Sequence, residues 1–477
     1  MEFKRLTSIN GFDKYDLANA KQNNYVWSMG ELNEYIYVGT GRNIALWPIN
    51  VLKSRIPGFI VPSSVTNDFD NNRAEIWRYK KDGTGGWQRV FTAPEGIEGF
   101  RFMISHNTIG PRSALYVATS SNSQKNKIRV YKTTNGIKWS EVQREELKGD
   151  TSRAMTIHNG KLYIATAYEQ ISKPYLYSSL DPELYAWKIE LDPEMAGFNA
   201  EKNPQGFIYN IASFNGHIYV STSNPNGIQL WRTRGIEPKL NDWIMIADKG
   251  FGDESNTWSL SMTVFKNHLY LSATTELPKG YLFPRGSDII RIDRNDKWEL
   301  VVGGKALIPS ETINGTRNKS LSGYDGGFSN PLNLYIWQMK EFKNELYVTT
   351  LDHGVNLQLI LEIFILNRDA IKKYMPNIGG VNGDIDGLIK KLQISISEMD
   401  KNKYSYGFDM FKSHDGIKFS SVFLDGLGNK DNYGGRILFI DSQNQLYIGT
   451  ANPYEGCEVW RVEKLCNNSF HSCNKKI

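Results

Sequence analysis

Cysteine is nearly missing from this chain. The three present, Cys457, Cys466 and Cys473, all lie near the C-terminal end, and an odd number absent from the body of the chain excludes a disulfide framework. Two narrower roles stay open: a Cys466 to Cys473 bridge if the protein is exported, and metal binding by the tail with His471 nearby. Long apolar runs are missing too. No stretch approaches the ~20 apolar residues of a membrane helix, and the opening MEFKRLTSIN lacks the apolar core of a secretory signal. The expectation is no membrane span, a cytoplasmic protein if Met1 is the natural start, and a secreted one if a signal peptide has been removed. Charge of one sign is also lacking, because Lys plus Arg exceeds Asp plus Glu by only 56 − 51 = 5 and the charges are interspersed. Nucleic-acid binding has no support from that pattern. Histidines and carboxylates show no metal-ligand spacing, no cofactor is identified, and the sequons at Asn314 and Asn318 are short enough to arise by chance.

What the chain has instead is a repeat. In the stretch Asn256 to Thr274, NTWSLSMTVFKNHLYLSAT, Met262 lies seven residues before Leu269. The same offset joins Met29 to Ile36, Met155 to Leu162, Ile211 to Ile218, Met339 to Leu346 and Phe439 to Leu446, while FRFMISHNTIGPRSALYVAT is a copy with a longer turn. These read as seven hairpins. Each precedes a third strand carrying an aromatic, such as Trp77, Tyr131, Trp231 or Trp460, and then a fourth opening with one: Trp87, Trp139, Trp187, Trp243, Trp298 or Phe419. Only six fourth strands follow a hairpin. The seventh match is Phe3 to Leu6, which predicts an all-β, seven-bladed β-propeller in one domain, 1–477, with the N-terminal strand closing the last blade.

Three segments interrupt the repeat. Residues 42–73 read as an irregular loop, 276–287 as an enlarged connection, and 351–406 as a two-helix insertion in blade six; 464–477 is a tail. In a propeller such connections share one rim, and one-sided loops on a repeating scaffold are where ligands bind.

Candidate chemistry follows from that rim. Asp352, Glu276 and Glu169 lie just past second strands, with Asp13, Asp253 and Asp325 in loops entering first strands, and a facing pair could act as general acid and base. His353 follows Asp352 at the mouth of blade six and is the best-placed base. His158, His217 and His268, in or beside outer turns, are expected to face solvent. Arg42, Arg73, Arg153 and Arg436 are placed to clamp a carboxylate, and Tyr168, Tyr281, Tyr324 and Tyr454 to stack on a sugar or other planar ligand. Trp27, Trp77, Trp231, Trp337 and Trp460 recur with the repeat and read as core. Asn23, Asn256 and Asn333, at one register, read as caps that hold neighbouring blades.

The turns KDGTGGW (Lys81 to Trp87), TNGIKW (Thr134 to Trp139) and SHDGIKF (Ser413 to Phe419) resemble, in shortened form, the Asp-box hairpins of sialidase-like bacterial propellers. The resemblance covers nearly the whole chain outside the insertions and implies fold alone, since related rings host glycoside hydrolases, lyases and binding proteins. The arginine triad and Tyr-Glu pair of six-bladed sialidases have no matching positions here. Two functions follow as expectations. One is a hydrolase or lyase acting on a glycan or other polar small molecule at the channel mouth. The other is a non-catalytic scaffold that binds a protein partner or a second copy through 355–400, where LILEIFIL would be the docking stretch.

Overall fold

The computed structural model describes residues 1–44, 47–65, 72–107, 113–121, 127–142, 147–168, 171–276, 280, 284–375 and 384–464. The chain is mostly β with few helices. Its strands pair antiparallel in sequence order, in runs of four: β2–β5 (23–92), β6–β9 (99–141), β10–β13 (151–191), β14–β17 (208–247), β18–β21 (262–302) and β22–β25 (333–423). Strands β26–β28 (434–464) form a last group, and β1 (Glu2–Arg5) adds to it, with Phe3 opposite Val462 and Arg5 opposite Trp460. That is the pairing expected from the FKRL pattern. Single-residue bridges, Gly41 to Gly99, Ser120 to Thr151, Leu351 to Gly434 and Tyr25 to Ala451, link five of these groups into one 20-stranded sheet, leaving β14–β17 and β18–β21 as separate four-stranded sheets.

The first strands are β2 (Asn23–Leu32), β6 (Gly99–Asn107), β10 (Thr151–His158), β14 (Ile208–Phe214), β18 (Met262–Phe265), β22 (Asn333–Phe342) and β26 (Gly434–Ile440). Each contacts the next, and β26 contacts β2. Apolar clusters fill the space between neighbouring groups: Tyr116 and Val130 meet Ile164 and Tyr175, Ile218 meets Leu176, and Val38 and Trp77 meet Tyr447 and Val459. Strand residues alternate faces, so each sheet is apolar on both sides and buries both against its neighbours. Full burial of one such side chain contributes about 1.5–3 kcal/mol.

Short turns carry the geometry their residues dictate. Asn159-Gly160 and Asn215-Gly216 both have positive φ, at 48° and 75° and at 50° and 79°, as two-residue hairpins require. In TNGIKW and SHDGIKF the wiring is the same. Asn135 Oδ1 accepts from the Ile137 and Lys138 N–H groups, both at 2.9 Å, and Asp415 Oδ1 from Ile417 and Lys418 at 2.8 and 2.7 Å.

Two interruptions differ from expectation. The segment after β3 (Tyr35–Arg42) contains a helix, Trp47–Arg55, whose Pro48 falls in the first turn where a missing N–H costs nothing. Among its described residues the insertion holds three helices rather than two: Gly354–Leu366, Arg368–Tyr374 and Ile385–Lys401. The break is at Asn367, whose amide pairs both ways with Ile60, accepting from its N–H at 2.6 Å and donating to its carbonyl at 2.9 Å. A side chain used this way ties the insertion to the segment after β3.

Removing residues 1–5 should strip β28 of its ladder partner, at about 1 kcal/mol per lost hydrogen bond. The expected outcome in a thermal melt is a Tm several degrees lower; an unchanged Tm would show that β1 contributes nothing to closing the last group.

Candidate functional site

A β-bulge recurs at one place in six of the first strands. The pairing slips between Val26 and Ser28, Phe100 and Phe102, Ser152 and Ala154, Ile208 and Asn210, Ile336 and Gln338, and Gly435 and Ile437. The skipped residues are Trp27, Arg101, Arg153, Tyr209, Trp337 and Arg436. A bulge re-aims the extra side chain, and here it gathers three arginines and three aromatics from different strands. Each guanidinium lies over an aromatic ring of a neighbouring strand: Arg101 over Trp27 at 5.0 Å, Arg153 over Tyr209 at 5.0 Å and Phe207 at 4.8 Å, Arg436 over Trp337 at 5.3 Å. Tyr25 packs edge-on to both Trp27 and Trp337, and its hydroxyl bonds that of Tyr433. The indoles need glycine opposite them, since a Cβ on Gly99 would stand 1.9 Å from Trp27 and one on Gly434 2.0 Å from Trp337. Burial pushes the Tyr25 hydroxyl up to about 12 and takes the Arg436 guanidinium down to about 10, helped by the nearby Arg153 charge.

The helical segment meets the aromatic part of this cluster. Val355 packs with Trp27, Trp337 and Tyr433. The apolar LILEIFIL stretch packs on the segment after β3, with Leu359, Ile363 and Phe364 against Ile49, Ile56, Phe59 and Val65. Ile365 and Leu366 at its end are exposed.

Asp352 ties down both roots of that segment. Fully buried, it accepts at Oδ1 from the Gly354 N–H (2.9 Å) and the Tyr404 hydroxyl (2.7 Å), and at Oδ2 from the Gly407 N–H (2.9 Å). Beside it lies Asp409, which the sequence reading missed. In four groups an Asn at or just before the first strand donates to an acid at or just before the third: Asn23 to Glu75, Asn256 to Asp288, Asn333 to Asp409 and Asn432 to Glu458, at 2.7–2.9 Å. The same amides donate to Gly11, Gly250, Gly327 and Gly426 carbonyls, so the asparagines hold loops as expected. Glu75, Asp288 and Glu458 each have an arginine, Arg89, Arg317 and Arg5. Asp409 has no ion pair among the described residues. Burial therefore raises its pKa to about 7, with the Asp352 charge adding to the effect, and burial raises Asp352 to about 6.

The other sequence-selected residues are placed as follows. Arg42 is a buried strut, donating to Asn19, Asn23 and Gln22. Arg73 lines a cleft of about 660 Å³ with Asp13, Asp16, Glu75 and Arg89. Asp253 is held by Arg285 at 2.7 Å, and Asp325 is exposed. His353 is fully buried, its N–H bonded to the Leu332 carbonyl. Glu276 is half-buried. Tyr168 packs on Tyr175 and Tyr324 on Phe328. Tyr454 packs in the same apolar cluster as Trp27 and Trp337. Glu169, Tyr281, Cys466, His471 and Cys473 lie outside the described residues. His158, expected at the surface, is buried between Ser213 and the Ile236 carbonyl, and Trp27 and Trp337 are buried core residues, as expected, that also lie beneath Arg101 and Arg436. No group of described residues has the make-up of a metal site, and no described helix is long and apolar enough to cross a membrane.

No protein-family profile and no curated protein matches the chain. Among solved structures it is similar to prolyl endopeptidases, with TM-score 0.39 and 10% identity over 89% of this chain and 46% of that one. It is also similar to a puromycin-hydrolysing peptidase of Mycobacterium tuberculosis (0.38, 10%, 72% and 47%) and to an ancestral GH74 enzyme (0.37, 9%, 83% and 56%). The chain spans about half the length of each. Likenesses at these scores carry no argument about its function.

Asp409 binds its proton more tightly folded than unfolded. The stability it supports is thus present below its ordinary pKa of 3.8 and lost as pH rises through about 7. Asp409→Asn, which keeps an acceptor for Asn333, should match the wild-type Tm at pH 4 and exceed it by a few degrees at pH 8; an equal difference at both pH values would assign the effect to packing instead.

Proposed function

We propose that the chain is a seven-bladed β-propeller that binds a carbohydrate-like or other polar small molecule at its axial mouth and acts on it as a hydrolase or lyase. Support for the ring comes from the cyclic contacts of the first strands and from the β1–β28 pairing. The observation that carries the site is the cluster of bulge residues beneath the helical segment. Aromatic faces suit sugar rings, and guanidinium edges suit their polar substituents. A functional site of this kind belongs where perturbed carboxyls cluster. In this reading Asp352 and Asp409, whose carboxyls burial raises to about 6 and about 7, supply acid–base chemistry, with His353 and Glu276 as proposed partners in proton transfer. Asp352 is fully buried, so contact with substrate requires the helical segment to move off it.

The packing of Leu359, Ile363 and Phe364 against the segment after β3 takes these side chains out of solvent, which favours a cover over a docking surface. Replacing 355–400 with a short Gly-Ser linker should leave a folded monomer that has lost glycan binding and turnover. Screening it beside the intact chain against neutral and acidic oligosaccharides, for new reducing ends and for unsaturated ends, checks this. If the deletion changes the oligomeric state while glycan binding is kept, the scaffold reading replaces this one.

A further inference from the structure

We infer that the ligand of the axial site is an anion, and that Arg436, with Arg153 and Arg101, receives its carboxylate, sulfate or phosphate group. The inference rests on the proposed site and names the chemistry of what it binds.

The geometry argues for an oxyanion in three steps. First, a guanidinium held against an aromatic ring still has hydrogen-bond donors to offer an oxyanion. All three arginines lie over rings in this way, at 4.8–5.3 Å from the ring centroids. Second, Arg436 is only 7% exposed and, among the described residues, has neither a carboxylate within ion-pair distance nor a hydrogen bond. A cation taken out of water without a partner is costly, and a second cation close by adds to the cost. Arg153 is close enough for its charge to act on Arg436. An oxyanion bound between them offsets both effects, and it can accept from two guanidinium edges at once. Third, the rings that hold the arginines, Trp27, Tyr209 and Trp337, together with Trp258, which packs 5.8 Å from Tyr209, form an aromatic wall beside the cations. That combination fits a ring-shaped ligand bearing a charged substituent better than a free ion.

The neighbouring acids do not fill this role. Asp352 and Asp409 have their oxygens engaged by Gly354, Tyr404, Gly407 and Asn333. Arg101 differs from the other two arginines in being only half-buried, with its Nη1 donating to Thr151 Oγ1 at 3.1 Å. It stands as the outer member of the three, the one that an incoming anion meets first.

The test uses the full chain at constant ionic strength, titrated by calorimetry with glucose, glucuronate, glucose 6-sulfate, glucose 6-phosphate and inorganic phosphate. At least one anionic sugar should bind about tenfold or more tightly than glucose, and its identity distinguishes carboxylate from sulfate and phosphate. Arg436→Gln should lose that preference while its Tm stays level or rises, because a buried cation without a partner has been removed; a structural arginine would give a lower Tm. Arg153→Gln, read for the same loss of preference alone, guards against a misfolded first variant. Equal binding of glucose and the anionic sugars leaves the glycan reading standing and overturns the anion. Binding of inorganic phosphate that Arg436→Gln abolishes, with no sugar bound, supports the anion site and overturns the glycan. Anion binding unchanged in both variants, or binding of no probe at all, overturns the inference.

Discussion

The recurring bulge in the first strands is the constraint on which the site depends. A regular antiparallel strand sends alternate side chains to opposite faces, and in this chain both faces of each sheet are occupied by packing against the neighbouring sheets. No position in such a strand is left to point along the edge. One inserted residue breaks the alternation and leaves a side chain that belongs to neither face. Repeating the insertion in six strands brings Trp27, Arg101, Arg153, Tyr209, Trp337 and Arg436 together although more than 400 positions separate the first from the last. In the proposed ring the scaffold stays repetitive while the gathered residues differ from strand to strand.

The same logic explains why the fold was easier to read than the site. The seven-residue offsets, the Asn-Gly turns and the FKRL match come from features that every copy shares, and these led directly to the hairpins and to the pairing of β1 with β28. The asparagines at Asn23, Asn256 and Asn333 were legible as loop holders for the same reason. Arg101 was not, because in GFRFMISH a strict alternation gives no hint that the pairing slips at that residue. Trp27 and Trp337 recur as Trp77 and Trp460 do and are buried like them, so spacing marks them as core but gives no sign that arginines lie over them. A usable signal was present in the glycines at 99 and 434, which stand opposite the two indoles in space, but a pairing between groups cannot be read from spacing within one.

The insertion shows the complementary limit. Length and apolar content identified helices in 351–406, yet the break at Asn367 depends on Ile60, roughly 300 positions earlier. Local propensity carries no information about such a partner. The helix at Trp47–Arg55 was missed for a related reason: Pro and Asn around it read as loop residues, and Pro48 is compatible with a helix only because it falls in the first turn. Likewise His158 was placed at the surface from its position beside an Asn-Gly turn, and only the approach of Ser213 and Ile236 from the next group buries it.

Asp409 joins these two lines of argument. Its asparagine clasp is shared with three other groups, so it belongs to the scaffold. Its lack of an arginine sets it apart, because Glu75, Asp288 and Glu458 are neutralised by Arg89, Arg317 and Arg5 whereas Asp409 faces Asp352 in a buried position. The sequence change behind this is small. Phe411 stands where Trp77 and Trp460 donate an indole N–H to their acids at 2.9 and 2.8 Å, and no basic residue replaces the lost donor among the described residues. A scaffold contact kept in form but stripped of its counter-charges holds a carboxyl near its titration point. It does so in the group that carries the helical cover, next to the residue that anchors both ends of it, which makes this the place where protonation and movement of the cover are coupled in the proposed site.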